Sequence, residues 1–471
     1  MRRNLLLRLG LALLAAGLVA CAPKMRTGEQ PSAPAAASAA PVLPEPPPAP
    51  AAGAAPEAPL PLPSRPTGSV SLAAAAPQPT ATPTPQPAPA DDGAQDPLPP
   101  MVSLQLFPWT TGNSAQLLVN GTAAFPAIFA AAEKAEKSLL VESYIFGDDE
   151  IGHKMVDLMI RKAQAGVECR LIIDGLGSEA FPPDLLDKLA AERRGDYFVF
   201  RPVHFFNKIW MPVSSLRDHR KIVIVDGRVA FLGGINLAAD ETDWRDFMVR
   251  IEGPAVGSVT RLFASEWARS DAKERLAGDA YFPALEPVGA LNIRVLGNQA
   301  RKTRWEIYAA YRDALRRARR EVIIANAYFL PDQRIRRELV KAVRRGVRVI
   351  LLLPAKSDVP LVQAASEFHF RSYLKRGIEI FLYSERPLHA KVAVIDGHWL
   401  TVGSYNLDHQ SLRNNLEITA VIDDPALGLT LRNELVRDLY KSRALTLEDW
   451  DKRPWSQKLR CRWWAVWSKL M

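Results

Sequence analysis

His219-Arg220-Lys221-Ile222-Val223-Ile224-Val225-Asp226-Gly227 runs on to Gly233-Gly234-Ile235-Asn236. His389-Ala390-Lys391-Val392-Ala393-Val394-Ile395-Asp396-Gly397 runs on to Gly403-Ser404-Tyr405-Asn406 in the same spacing. In each copy His and Lys are two apart, which on a strand puts both side chains on one face. The four apolar residues after Lys continue a buried strand. Asp-Gly then predicts a tight hairpin. The returning strand ends at a glycine turn that brings Asn in from the other side. An imidazole, an ammonium and an amide gathered there suit phosphoryl oxygens and a proton in transit. One such pattern is weak; two in the same order indicate a duplicated unit.

The flanking sequence repeats as well. Ser138 to Tyr144 and Glu321 to Tyr328 are apolar, β-rich runs. Each precedes a helical stretch, Glu150 to Ala165 or Gln333 to Arg345, that stops at Gly166 or Gly346. A second strand follows, Glu168 to Asp174 or Arg348 to Leu353. Strand, helix, strand with buried strands predicts the α/β class with parallel pairing. The expected halves are 101–275 and 276–445.

The remaining sequence supplies context. The chain has 471 residues and a net charge of +9. Residues 1–100 carry six basic and six acidic groups, so the excess lies wholly in the predicted globular part. A basic globular part suggests an anionic partner. Three cysteines are too few for a disulfide framework. Residues 1–20 have a basic start and a short apolar run, the pattern of an export signal. Leu18-Val19-Ala20-Cys21 resembles the lipobox of bacterial lipoproteins. That resemblance makes Cys21 the acylated residue and places the protein on the envelope membrane, on the periplasmic side. Ala22 leans towards the outer membrane. Residues 21–100 hold 23 of the 38 prolines and lack apolar periodicity. They read as a tether with a reach of roughly 50 Å as a flexible coil. Residues 446–471 carry Trp455, Leu459, Trp463 and Trp467 at helical spacing beside Lys458, Arg462 and Lys469. Such a helix suits an anionic headgroup layer, or packs on the core.

The doubled pattern His-x-Lys-x4-Asp-x6-Gly-(Gly/Ser)-x-Asn resembles the phospholipase D superfamily, over about residues 105–445. Trp244-Arg245-Asp246-Phe247 and Ser411, Asn415 and Glu417 are similar to the text of bacterial cardiolipin synthases. The resemblance implies two α/β sandwich halves related by a pseudo-dyad, with one active site between them. A single copy would then be sufficient for the site. It implies His219 as nucleophile and His389 as acid and base, with Lys221 and Lys391 beside them; Asp226 and Asp396 complete the catalytic motif, and their place at a hairpin suggests a supporting role. Asn236, Ser404 and Asn406 would bind phosphate. Asp246 and Glu417, each eight residues before a proline, would orient the histidines. The implied substrate is an anionic phospholipid at a membrane surface, with no cofactor. Hydrolysis by water, or a two-motif nuclease, are the alternatives, and nucleic acid is disfavoured. No His/Cys/carboxylate set shows metal-ligand spacing, so no metal is expected. His153, His204, His369, His398 and His409 are expected to be structural.

Overall fold

The sequence repeat becomes a repeat of seven strands in a computed structural model describing residues 57–66, 107–203, 216–269, 275–298 and 305–467. The signal at 1–20, Cys21, most of the 21–100 tether, His204 and the last four residues lie outside the described residues. In the first half the strands are β1 (Thr110–Val119), β2 (Ser138–Ser143), β3 (Glu168–Asp174), β4 (Gly195–Phe200), β5 (Lys221–Val225), β6 (Val229–Gly233) and β7 (Phe247–Glu252). In the second they are β8 (Leu291–Asn298), β9 (Glu321–Asn326), β10 (Arg348–Pro354), β11 (Glu379–Tyr383), β12 (Lys391–Ile395), β13 (Trp399–Gly403) and β14 (Glu417–Asp423), with β15 (Ser442–Leu445) added at the edge.

The sheet order is β15-β11-β10-β9-β12-β13-β14-β8-β1-β7-β6-β5-β2-β3-β4. Each half therefore has one order, mirrored about the β8–β1 junction. The two seven-stranded sets are joined edge to edge in one sheet. Antiparallel pairing of Thr110 with Ile293 and Asn113 with Leu291 makes the join. It covers two edges that would otherwise leave backbone donors and acceptors unpaired.

Local chemistry explains the elements. The Asp149 side chain caps the helix Glu150–Gln164 by accepting from the Ile151 and Gly152 amides. Asp332 does the same for Gln333–Arg344 through the Ile335 amide. Each cap contributes about 1 kcal/mol. Gly166 and Gly346 end these helices at φ +93° and +89°, where a side chain would be strained. Strand β5 is buried on both faces, with Ile222 and Ile224 in one core cluster and Val223 and Val225 in the other. Each such side chain contributes about 1.5–3 kcal/mol by leaving water. The two faces explain why the run after Lys221 is continuously apolar rather than alternating.

One piece of the tether differs from expectation. Residues 57–66 have no helix or strand, but Leu60 and Leu62 pack against the core and Pro63 is buried.

Candidate active site

Main-chain bridges between the halves place the two histidines. Asp218 bridges to Leu416, and the His219 amide donates to the Leu416 carbonyl at 3.0 Å. Arg245 bridges to Leu388, and the His389 amide donates to the Arg245 carbonyl at 2.9 Å. Leu416 immediately precedes Glu417, and Arg245 immediately precedes Asp246. Each histidine is thus pinned beside the other half's carboxylate.

The side chains complete that crossing. His219 Nδ1 lies 3.1 Å from Glu417 Oε2, and His389 Nδ1 lies 2.8 Å from Asp246 Oδ2. With Nδ1–H donated to a carboxylate, each ring turns Nε2 outward as its free nitrogen. Glu417 accepts from the Ser404 hydroxyl, from the Ser411 hydroxyl at 2.7 Å and from the Asn415 amide at 3.3 Å. Asp246 accepts from the Phe247 amide at 2.7 Å. A Cβ at Gly234 would stand 2.3 Å from the Asp246 carboxylate oxygens, so Gly234 leaves the space that Asp246 fills. The Gly234/Ser404 asymmetry follows from this. The shorter Asp lies against its turn and the longer Glu is gripped by a hydroxyl. Ser404 was expected to bind phosphate, but its hydroxyl is directed to Glu417.

Two buried ammonium groups share the crevice. Lys221 Nζ donates to the His219 carbonyl at 2.7 Å, and Lys391 Nζ donates to the His389 carbonyl. Lys391 also lies 3.6 Å from Asp246. Burial, with Lys391 next, pushes the Lys221 ammonium down to about 7. Burial likewise lowers Lys391. An anionic phosphodiester between them would relieve both. The Tyr144 ring centroid is 5.0 Å from that of His219, and Trp244 is 5.4 Å from His389.

The histidines differ in charge preference. Burial, with Lys221 adding to it, lowers His219 to about 4 against the opposing pull of Glu417. His219 is therefore neutral at physiological pH. Burial and Lys391 also work against charge on His389, but Glu241 and Asp246 outweigh them and raise its pKa. Glu241 Oε2 is 3.4 Å from His389 Nδ1, and Glu241 Oε1 accepts from the Asn236 amide at 2.6 Å. Sequence reasoning missed Glu241. Its signal was position, because Glu241 follows Asn236 by five residues as Ser411 follows Asn406. One slot holds a carboxylate and the other a hydroxyl.

The other expected residues divide. Asn236 reaches the crevice wall, but its amide is committed to Glu241 and its carbonyl oxygen accepts from the Ile145 amide at 3.0 Å. Asn406 Oδ1 is buried without a partner. Asp226 and Asp396 are not at the crevice. They stand at the hairpins, about 16 Å along the strand from the lysines. Their φ values are +53° and +55°. Asp226 accepts from the Glu136, Lys137 and Ser138 amides, and Asp396 from those of Arg319, Arg320 and Glu321. These carboxylates tie each hairpin to the start of the neighbouring strand. His153 pairs with Asp148 and His398 with Asp423, while His369 contacts Arg336. His409 opens the short helix His409–Arg413.

Glu241, Asp246 and His389 present ligand atoms within 4.8 Å of one another, a set that linear spacing could not reveal. Its charge is already balanced by Lys391 and by a His389 held towards its protonated form, so a cation would have to displace both. The donors fit a charged imidazole better than a metal.

The family model described as "Cardiolipin synthase, PLD-like domain" matches residues 128–267 and 311–439. Cardiolipin synthase B of Escherichia coli K12 is 36% identical over 337 residues, covering 69% of this chain and 80% of that protein. Cardiolipin synthase A of Pseudomonas putida is 33% identical over 367 residues, covering 74% and 73%. The fold matches the crystal structure of a Haemophilus influenzae phosphatidylserine synthase, with TM-score 0.60 at 13% identity, over 76% of this chain and 94% of that one. With both family segments matched and relatives covered over most of their length, the chain belongs to the cardiolipin synthase family of phospholipase D-like proteins.

Proposed function

We propose that the protein is a phosphatidyltransferase that makes cardiolipin from phosphatidylglycerol. The observation that carries this reading is the pair of crossed imidazoles with opposite charge preference beside two buried ammonium groups. Neutral His219 attacks phosphorus through Nε2, forming a P–N bond while the P–O bond to glycerol breaks. His389 gives its proton to that departing oxygen. Now neutral, His389 takes a proton from the hydroxyl of a second phosphatidylglycerol, whose oxygen attacks phosphorus and breaks the P–N bond. Cardiolipin and glycerol leave. Lys221 and Lys391 hold the non-bridging oxygens.

Purified protein in phosphatidylglycerol vesicles should release glycerol and cardiolipin in equal amounts, undiminished by chelator. Phosphatidic acid as the main product would replace transfer by hydrolysis. Chelator-resistant loss of DNA, with lipid untouched, would replace it by a nuclease.

Glu241→Gln should lower the His389 pKa, because a carboxylate that favours imidazolium is removed. The alkaline limb of kcat/KM against pH should move to lower pH. Activity should fall about tenfold at pH 8 and little at pH 6. An unmoved limb would remove Glu241 from the mechanism.

Membrane attachment belongs to the same reading. No helix among the described residues is long and apolar enough to cross a bilayer. The helix Trp455–Trp467 buries Cys461, which donates to Glu367 at 3.4 Å, on the helix Pro360–Leu374. Its other side exposes Trp455, Leu459 and Trp463 at four-residue intervals, with Lys458 and Arg460 also exposed. The two alternatives left open by the sequence are compatible on opposite sides of one helix. The exposed stripe and its basic neighbours suit an anionic headgroup layer. Acylated Cys21 would supply the export anchor on the periplasmic side of the envelope. Labelled palmitate should mark the wild-type chain and spare Cys21→Ser, whereas equal labelling would defeat the anchor.

A further inference from the structure

The proline-rich segment 57–66 lies on the second half along the helix Pro425–Tyr440. Five hydrogen bonds from the folded part are directed at its backbone. The Asn433 side chain reads it at two points, accepting from the Leu60 amide at 2.9 Å and donating to the Ala58 carbonyl at 3.0 Å. Arg432 donates to the Leu60 carbonyl at 2.7 Å while its guanidinium is fixed by Glu321. Tyr440 Oη donates to the Pro61 carbonyl at 3.1 Å, and Arg348 donates to the Pro63 carbonyl at 2.6 Å. With the segment in place Asn433 is buried, so both of its hydrogen bonds to the segment are shielded from water.

The ligand suits such a seat. Pro59, Pro61, Pro63 and Pro66 lack amide hydrogens, so the segment offers mainly carbonyls. The seat answers with donors at four carbonyls and applies one acceptor, Asn433 Oδ1, to the Leu60 amide. Leu60 and Leu62 supply apolar anchors against the core. Prolines also restrict the free chain, so docking loses less conformational entropy.

We propose that this surface is a polyproline-binding seat, and that residues 57–66 of the same chain are its dedicated occupant. The leader is thereby divided. Residues 57–66 then belong to the folded part rather than to the span of chain that follows Cys21. The seat also adjoins the active site. Glu57 pairs with Arg437, which donates to Glu434 at 2.9 Å. Glu434 accepts from Arg245 at 2.9 Å, and the Arg245 carbonyl holds the His389 amide. Docking the strap therefore braces the helix that buttresses the His389 side of the crevice.

Hydrogen exchange on the wild-type full chain tests this without any variant. The Leu60 amide should exchange at least about 100-fold more slowly than the same amide in a synthetic peptide of residues 55–68. Rates equal within about threefold would overturn the proposal. A full chain carrying Leu60→Asp and Leu62→Asp should vacate the seat and bind the labelled wild-type peptide saturably in fluorescence anisotropy. The wild-type chain should not bind it. A folded vacated chain that ignores the peptide would overturn the proposal. So would displacement of the strap from the wild-type chain by an unrelated proline-rich peptide at micromolar concentration. If the vacated chain fails to fold, the wild-type exchange rates decide alone.

Discussion

Alanine in place of His219 is expected to abolish cardiolipin formation, a fall of about 10⁴-fold or more, because the reaction then has no atom to carry the phosphatidyl group. His389→Ala should be as severe with phosphatidylglycerol, whose departing alkoxide needs a proton. The two variants should part with a substrate bearing a nitrophenol leaving group. That group departs without a proton, so His389→Ala should show a burst of one nitrophenol per enzyme and then stop, while His219→Ala should show none. Bursts from both variants, or full turnover by either, would dissolve the division of labour. The division rests on environment. Burial, with Lys221 adding to it, lowers His219 to about 4 against the single carboxylate beside it, which two serine hydroxyls hold. His389 faces two carboxylates and its pKa rises.

The second large effect is expected at Asp246. Asp246→Asn keeps the shape but removes the charge that holds His389 protonated and offsets Lys391 at 3.6 Å. It also puts an amide where Nδ1–H should find an acceptor, which favours the wrong tautomer. A loss of about 10³-fold in kcat is expected, with KM changing far less. The sign of the pH effect is set. Without Asp246 the His389 pKa falls, so residual activity should peak at lower pH than in the wild type. A variant with wild-type kcat and an unmoved profile would show that Asp246 does not act through His389.

Much of this arrangement is local and therefore legible in the chain. The strand after Lys221 and the Asp-Gly hairpin depend on neighbours a few residues away. So do the glycine stops at Gly166 and Gly346. The duplication makes the fold class readable, because two weak patterns in one order reinforce each other. What remained hidden depends on contacts between distant segments. Nothing in linear spacing says that Glu417 serves His219 while Asp246 serves His389. That crossing arises when β8 pairs with β1 and brings the two crevice walls together. The same distance effect hid Glu241, which matters only because His389 arrives from 148 positions away. Asp226 and Asp396 were partly legible: their place at a hairpin suggested support, but the amides that they fasten on the neighbouring strand were not visible in the sequence. The strap at 57–66 escaped because proline-rich composition reports an inability to build a core, not an inability to dock on one.

Rapid quench of the enzyme turning over phosphatidylglycerol labelled in its phosphate, followed by peptide mapping under alkaline conditions, tests the central claim most directly. Acid-labile label should sit on the peptide bearing His219, appear within the first turnover and vanish as cardiolipin forms. Label on the His389 peptide, or cardiolipin formed with no labelled peptide at any time, would contradict the account.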